Sequence, residues 1–154
     1  MHGLPEAVGE VPPGAVLDHI GIAVRDLAAA GRTYSALLPG VFRLGPVHEV
    51  PAQGARVSFL TGAGTKLELV QPLNDSGPLA RFLARRGEGM HHVCFAVPSI
   101  EAELARLTAD GAELIDRIPR PGHGGRVAFV HPRTGHGVLL ELLEREVTTD
   151  DDQA

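Results

Sequence analysis

The sequence predicts an α+β fold made of one strand–helix–three-strand unit written twice, and three observations carry that prediction. The segments LDHIGIAV (17–24) and MHHVCFAV (90–97) each place a histidine before an alternating apolar run. The offset that takes His19 to His92 also takes Glu68, in TKLELVQP, to Glu141, in VLLELLER. The same shift pairs Ile20 with Val93, Ile22 with Phe95 and Val24 with Val97, so the unit reads as repeated without a gap. A supersecondary unit that cannot close its own core, and is therefore repeated, marks a duplicated architecture.

Each element has its own local reason. Strand 17–24 alternates apolar and small residues at period two. Asp26 stands where an N-cap belongs, ahead of a helix over 26–38. Strands are predicted near 41–50, 55–61 and 65–71. NDSGPLARFLARRGEG then forms a linker with a short helix, whose arginines read as a solvated face. The pattern restarts with strand 91–97 and with Ser99 as the cap of a helix over 99–110. Gly111 sits where a helix end wants a left-handed residue, and strands follow near 112–118, 126–131 and 137–144. The result is a single domain over 15–146, with module 1 about 16–73, a linker 74–89 and module 2 about 90–146. Residues 1–14, rich in proline and glycine, are expected to form a flexible arm, and 147–154 a disordered acidic tail.

A net charge of -5 and a pI near 5.9 argue against a nucleic-acid partner. No apolar run approaches the roughly 20 residues of a membrane span. The N-terminal stretch lacks a basic segment followed by an apolar one, so no signal peptide is expected. Cys94 is the only cysteine, which excludes an internal disulfide and fits a cytoplasmic location. With no base motif beside it, Cys94 reads as a small packed residue.

Strand alternation places His19, Gly21 and Ala23 on one face and Ile20, Ile22 and Val24 on the other. Glu68 points away from Leu67 and Leu69 for the same reason. Each unit therefore turns one histidine and one glutamate away from its large apolar residues. If the halves curl toward each other, two imidazoles and two carboxylates meet, a donor set for a divalent metal with positions left open. Taken singly, a glutamate in an apolar strand is ordinarily solvent-facing, and a histidine at a strand start caps or decorates the surface. The repetition of the pair is what points to a metal. Alternation sends His91 and Gln71 to the opposite face, which makes His91 structural or supporting and leaves Gln71 out of the ligand set.

The stretches LDHIGIAVRDL, TKLELVQPLNDSGPLARFL, GEGMHHVCFAV and IPRPGHGGRVAFVHPRTGHGVLLEL resemble the vicinal oxygen chelate superfamily and, within it, the methylmalonyl-CoA epimerases. The resemblance implies paired βαβββ modules forming an incomplete mixed β-barrel around a metal site, with helices outside. It implies His19, Glu68, His92 and Glu141 as ligands of one divalent ion per chain, cobalt or manganese before nickel or zinc. The implied reaction is epimerisation of (R)- and (S)-methylmalonyl-CoA through a metal-stabilised enolate, in a homodimer. Glu141 is then one base, with Glu68 or a water on the metal as the other. Some epimerases carry a further glutamate after the Gln-Gly pair before the third strand. Val57 stands at that position, so a scheme using it does not transfer.

The Gly-rich loop PRPGHGGR is either a hairpin connection or a lid whose Arg120 or Arg126 meets the CoA, and Arg133 in HPRTGHG is a further candidate for a CoA phosphate. His123, His131 and His136 read as solvated loop residues. Two alternatives remain. One is a glyoxalase I-like lyase acting on a glutathione hemithioacetal. The other is a non-catalytic small-molecule-binding protein of the same fold, a reading weakened by the full ligand set.

Overall fold

Two strands related by the repeat join the halves of the molecule: β1 (Val16–Ala23) runs antiparallel to β5 (Gly89–Ala96). The computed structural model describes residues 14–147, so nearly all of the expected arm and tail lie outside the described residues. After β1 come α1 (Leu27–Leu37), β2 (Phe42–Val50), β3 (Ala55–Gly62) and β4 (Thr65–Pro72). α2 (Pro78–Arg86) leads to β5, followed by α3 (Ile100–Ala109), β6 (Arg120–Gly122), β7 (Gly125–Val130) and β8 (Leu139–Arg145). The eight strands form one mixed sheet in the order β2-β3-β4-β1-β5-β8-β7-β6. Read outward from the seam, each half is the same set, since β1 lies parallel to β4 and β5 parallel to β8.

The two ends of that order touch. His48 on β2 stacks on His123 in the β6–β7 turn with ring centroids 4.2 Å apart. Arg120 donates to the Ala52 carbonyl at 3.0 Å. The sheet therefore curls into a half-barrel. α1 covers its outer face through Leu27, which packs with Leu60 and Leu69. α3 does the same in the second half through Ile100 and Leu104, against Ala128 and Leu142. Both helices start where expected: Asp26 accepts the Ala29 N–H at 2.9 Å and Ser99 the Ala102 N–H at 3.3 Å. Gly111 takes φ 82, the left-handed conformation that glycine tolerates. α2 lays Leu79 and Leu83 on the inner-face residues Ala23, Val57 and Val70. No described helix is long and apolar enough to cross a membrane.

Two expectations need correction. The strand near 112–118 does not form; only an isolated bridge joins Leu114 to Val130, and β6 is the short Arg120–Gly122. The Asp116 carboxylate accepts the Phe129 N–H at 2.9 Å, taking a donor that a ladder would use. Nor is the repeat free of gaps. Phe59 faces Glu68 and Phe129 faces Glu141, so these phenylalanines are 70 residues apart (129 − 59). Glu68 and Glu141 are separated by 73 (141 − 68). From histidine to phenylalanine the second half is three residues shorter than the first (37 against 40), and from phenylalanine to glutamate three longer (12 against 9).

Leu69 is fully buried beneath α1. Leu69→Ala should lower the unfolding free energy by about 3 kcal/mol through lost transfer energy and a residual cavity, measured by urea denaturation.

Candidate metal centre

The seam between β1 and β5 slips twice. Leu17 faces Phe95 and His19 faces Cys94, which leaves Asp18 unmatched; Gly21 faces His92 and Ile22 faces Met90, which leaves His91 unmatched. Each slip is a β-bulge, and a bulge re-aims side chains out of simple alternation. Asp18 and His91 are 73 residues apart (91 − 18), so the bulges repeat with the ligands. This corrects the expected placement of His91 on the opposite face: its Nδ1 lies 2.9 Å from His92 Nδ1. Gln71 does stay apart from the ligands and accepts the Leu27 N–H at 2.9 Å.

The four ligand candidates converge. The Nε2 atoms of His19 and His92 are 3.1 Å apart. Glu68 offers Oε2 at 3.7 Å from His19 Nε2 and Oε1 at 3.4 Å from His92 Nε2. Glu141 Oε2 is 3.5 Å and 3.0 Å from the same two nitrogens. All four residues are at most 7% exposed. Phe59 stands edge-on to His19 at 5.5 Å and Phe129 edge-on to His92 at 6.1 Å. Gly21 makes room for one ligand, because a Cβ there would fall 2.0 Å from His92 Cε1.

Charge balance explains the arrangement. Burial pushes the Asp18 carboxyl up, but hydrogen bonds from His19 and Arg145 and the ammonium of Lys66 hold it well below the usual range. Ionised Asp18 accepts from His19 Nδ1 at 2.7 Å. Burial pulls His19 down, yet its hydrogen bonds to Asp18 and Glu141 and the charges of Glu68 and Glu141 outweigh that and raise it to about 9. His92 is raised against its burial by Glu141 and Glu68. Glu141, pushed up by burial, is held below its ordinary value by the two imidazoles. His91, lowered to about 4 by burial and by the charge of His92, is neutral and free to accept from His92 Nδ1. Donation from each Nδ1, to Asp18 and to His91, turns both Nε2 atoms toward the carboxylates: protonated, they donate to Glu68 and Glu141, and deprotonated, they offer lone pairs to a metal. Two imidazole protons thus neutralise two buried carboxylates, and a divalent cation supplies the same charge to the neutral imidazoles. His19, Glu68 and His92 bring ligand atoms within 4.8 Å of one another, Glu141 adds a carboxylate oxygen against both imidazoles, and this buried donor set with its fixed tautomers fits such an ion.

A cavity of about 270 Å³ lies over the centre, walled by Val70, Leu79 and Phe129, with Glu68 and His92 exposed to it. Of the arginines expected at a CoA, Arg120 lines this cavity. Arg126 is tied to Glu101 and Glu144, and Arg133 pairs with Glu113 at 3.5 Å; neither lines it. Val57 is packed in the core, and Cys94 is buried opposite His19 with its thiol pushed up by burial. Asp18, Gly21, Phe59 and Phe129 were not singled out from the sequence. Carrying the 73-residue offset one position back from each histidine finds Asp18 and His91. The phenylalanines escape it because their own spacing differs.

The family model for the glyoxalase/bleomycin resistance protein/dioxygenase superfamily matches residues 18–129. The chain is 39% identical to the ethylmalonyl-CoA/methylmalonyl-CoA epimerase of Cereibacter sphaeroides, over 82% of this chain and 95% of that one. The crystal structure of methylmalonyl-CoA epimerase from Mycobacterium tuberculosis superposes with a TM-score of 0.79 at 34% identity, covering 85% of this chain and 88% of that one. A methylmalonyl-CoA epimerase in complex with methylmalonyl-CoA and NH4+ gives 0.77 at 33% identity, covering 85% and 94%.

Gly21→Ala should displace the His92 ring and weaken cobalt(II) binding at least tenfold, measured by the visible absorption of the loaded protein, while the fold persists by circular dichroism. In metal-free protein, His19 has a folded pKa near 9, above its unfolded value of 6.5. Its stabilisation is therefore complete below pH 6.5 and lost as the pH rises through about 9. Denaturation midpoints across that window should fall for the parent and stay flatter for His19→Gln.

Proposed function

The chain belongs to the glyoxalase/bleomycin resistance protein/dioxygenase superfamily, and on that premise we propose that it interconverts (R)- and (S)-methylmalonyl-CoA. The observation that carries this reading is the placing of Glu68 and Glu141, on strands related by the repeat, against the same two imidazoles. The likeness to proteins named as methylmalonyl-CoA epimerases supplies the substrate class.

The α-hydrogen of a methylmalonyl thioester is weakly acidic, because its removal puts charge on the thioester oxygen. Epimerisation takes that proton from one face of C2 and returns one on the other. Glu141, held ionised by the surrounding imidazoles, accepts the proton on its side. Glu68, on the matching strand of the other half, takes a proton from solvent and returns it to the opposite face, while Glu141 releases its own proton to solvent. His19, Glu68, His92 and Glu141 would hold the divalent ion, with cobalt or manganese ahead of nickel or zinc. When bound, it supplies a Lewis acid that stabilises charge on the thioester oxygen. Val70, Leu79 and Phe129 keep water from the reacting carbon. We assign Arg120, the one arginine of that wall, to the free carboxylate of the substrate, which it would meet while held by Asp116 at 3.0 Å; its guanidinium lies 5.7 Å over the Phe129 ring. The homodimer implied by the resemblance remains part of this reading. Leu17 and Phe95, paired across the seam and both exposed, lie on the apolar face it would cover.

In deuterated water the protein should wash deuterium into the α-position of methylmalonyl-CoA, followed by mass spectrometry. Glu141→Gln should slow the exchange by about 10²–10⁴-fold. Chelator treatment should abolish it, and added cobalt(II) or manganese(II) should restore it. Exchange by the parent no faster than by the variant overturns the proposal.

A further inference from the structure

α2 carries three arginines, Arg81, Arg85 and Arg86, and none of their guanidiniums is in an ion pair among the described residues. Arg56, Arg106, Arg120, Arg126, Arg133 and Arg145 each pair with a carboxylate; Arg25, Arg32, Arg43 and Arg117 do not among the described residues, but unlike the α2 arginines they line no cavity near the metal centre. Arg81 and Arg85 are one helical turn apart and share a face. Arg86 lies 5.7 Å over the ring of Phe82. The helix is anchored by buried Leu79 and Leu83, so the arginines sit on a fixed element. All three line a cavity of about 600 Å³ whose wall also includes the exposed apolar residues Met90, Ile115 and Val138.

This outer cavity adjoins the one over the metal centre, for Pro78, His91, His92, Ile115 and Leu139 wall both. Three unpaired cations in a chain of net charge -5 mark an anion site. The planar guanidinium fork matches phosphate oxygens, which it binds through paired charge-assisted hydrogen bonds. A thioester whose reacting carbon lies over the centre must carry its long arm through the outer cavity, where the apolar wall suits an uncharged chain and the arginines suit the phosphates beyond it. We propose that Arg81, Arg85 and Arg86, lining the cavity that adjoins the one over the metal centre, bind the phosphates at the nucleotide end of the CoA thioester. This rests on the acyl-CoA reading above. It gives the short basic helix a role beyond that of a solvated face.

The test compares metal-loaded parent with R81Q/R85Q/R86Q, after matched thermal unfolding shows that both are folded. With methylmalonyl-CoA the variant should show a KM raised about tenfold or more and kcat within about threefold. With methylmalonyl-pantetheine, which lacks the phosphates, the two proteins should have the same kcat/KM. Adenosine 3′,5′-bisphosphate should compete with the CoA thioester in the parent and not in the variant, and inorganic phosphate at equal concentration should compete in neither. An unchanged KM for the CoA thioester, an equal loss with both thioesters, or equal competition by inorganic phosphate overturns the proposal. Calorimetric titration with CoA alone separates the two readings. CoA binding by the parent and not by the variant, in a protein that exchanges no α-hydrogen, upholds the arginine site and refutes the epimerase. CoA binding equally to both proteins refutes the arginine site alone.

Discussion

Two carboxylates and two imidazoles, all but removed from water at one point, set the terms for the rest of the molecule. An isolated carboxylate at that depth is prohibitively costly unless it is paired. Glu68 and Glu141 are tolerable only because His19 and His92 bring positive charge, either as protons or by sharing a cation. The imidazoles are in turn held by Asp18 and His91, and Asp18 by Lys66 and Arg145. Cut anywhere, this chain of contacts leaves a buried charge or a misdirected lone pair.

Duplication is an economical way to build such a centre. One half supplies a histidine on its first strand and a glutamate on the parallel strand beside it. Antiparallel pairing of the two first strands brings both sets together at the seam. Regular strands alone would not suffice, since each would turn the supporting residue away from its histidine. A bulge in each strand puts Asp18 beside His19 and His91 beside His92. Gly21, facing His92 across the seam, clears the volume the ring needs.

Much of this was legible in the sequence. The convergence of His19, Glu68, His92 and Glu141, the helix caps and the order of elements follow from periodicity and a single offset, because those features are local or are copied intact. The bulges were not legible: a period-two pattern has no sign for an inserted residue, so His91 was assigned to the wrong face. The strand expected near 112–118 failed for a tertiary reason, Asp116 capturing a donor from Phe129. Phe59 and Phe129 escaped because the chain lengths between equivalent elements differ in the two halves. Arginines could be counted but not placed. Arg126 and Arg133 proved to be committed to carboxylates, whereas those of α2 face open space.

The unpaired α2 arginines line one cavity and the buried centre the next, with His91, His92, Ile115 and Leu139 between them, an arrangement that suits a ligand with a compact reactive head and a long anionic tail. Its chemistry still depends on the centre behaving as a single charge-balanced unit. Calorimetric titration of cobalt(II) into metal-free protein at pH 7, in buffers of different ionisation enthalpy, counts the protons released per ion. Displacement of both imidazole protons predicts one ion per chain and close to two protons released. Binding with no proton release, or no binding at the four side chains, would contradict the account.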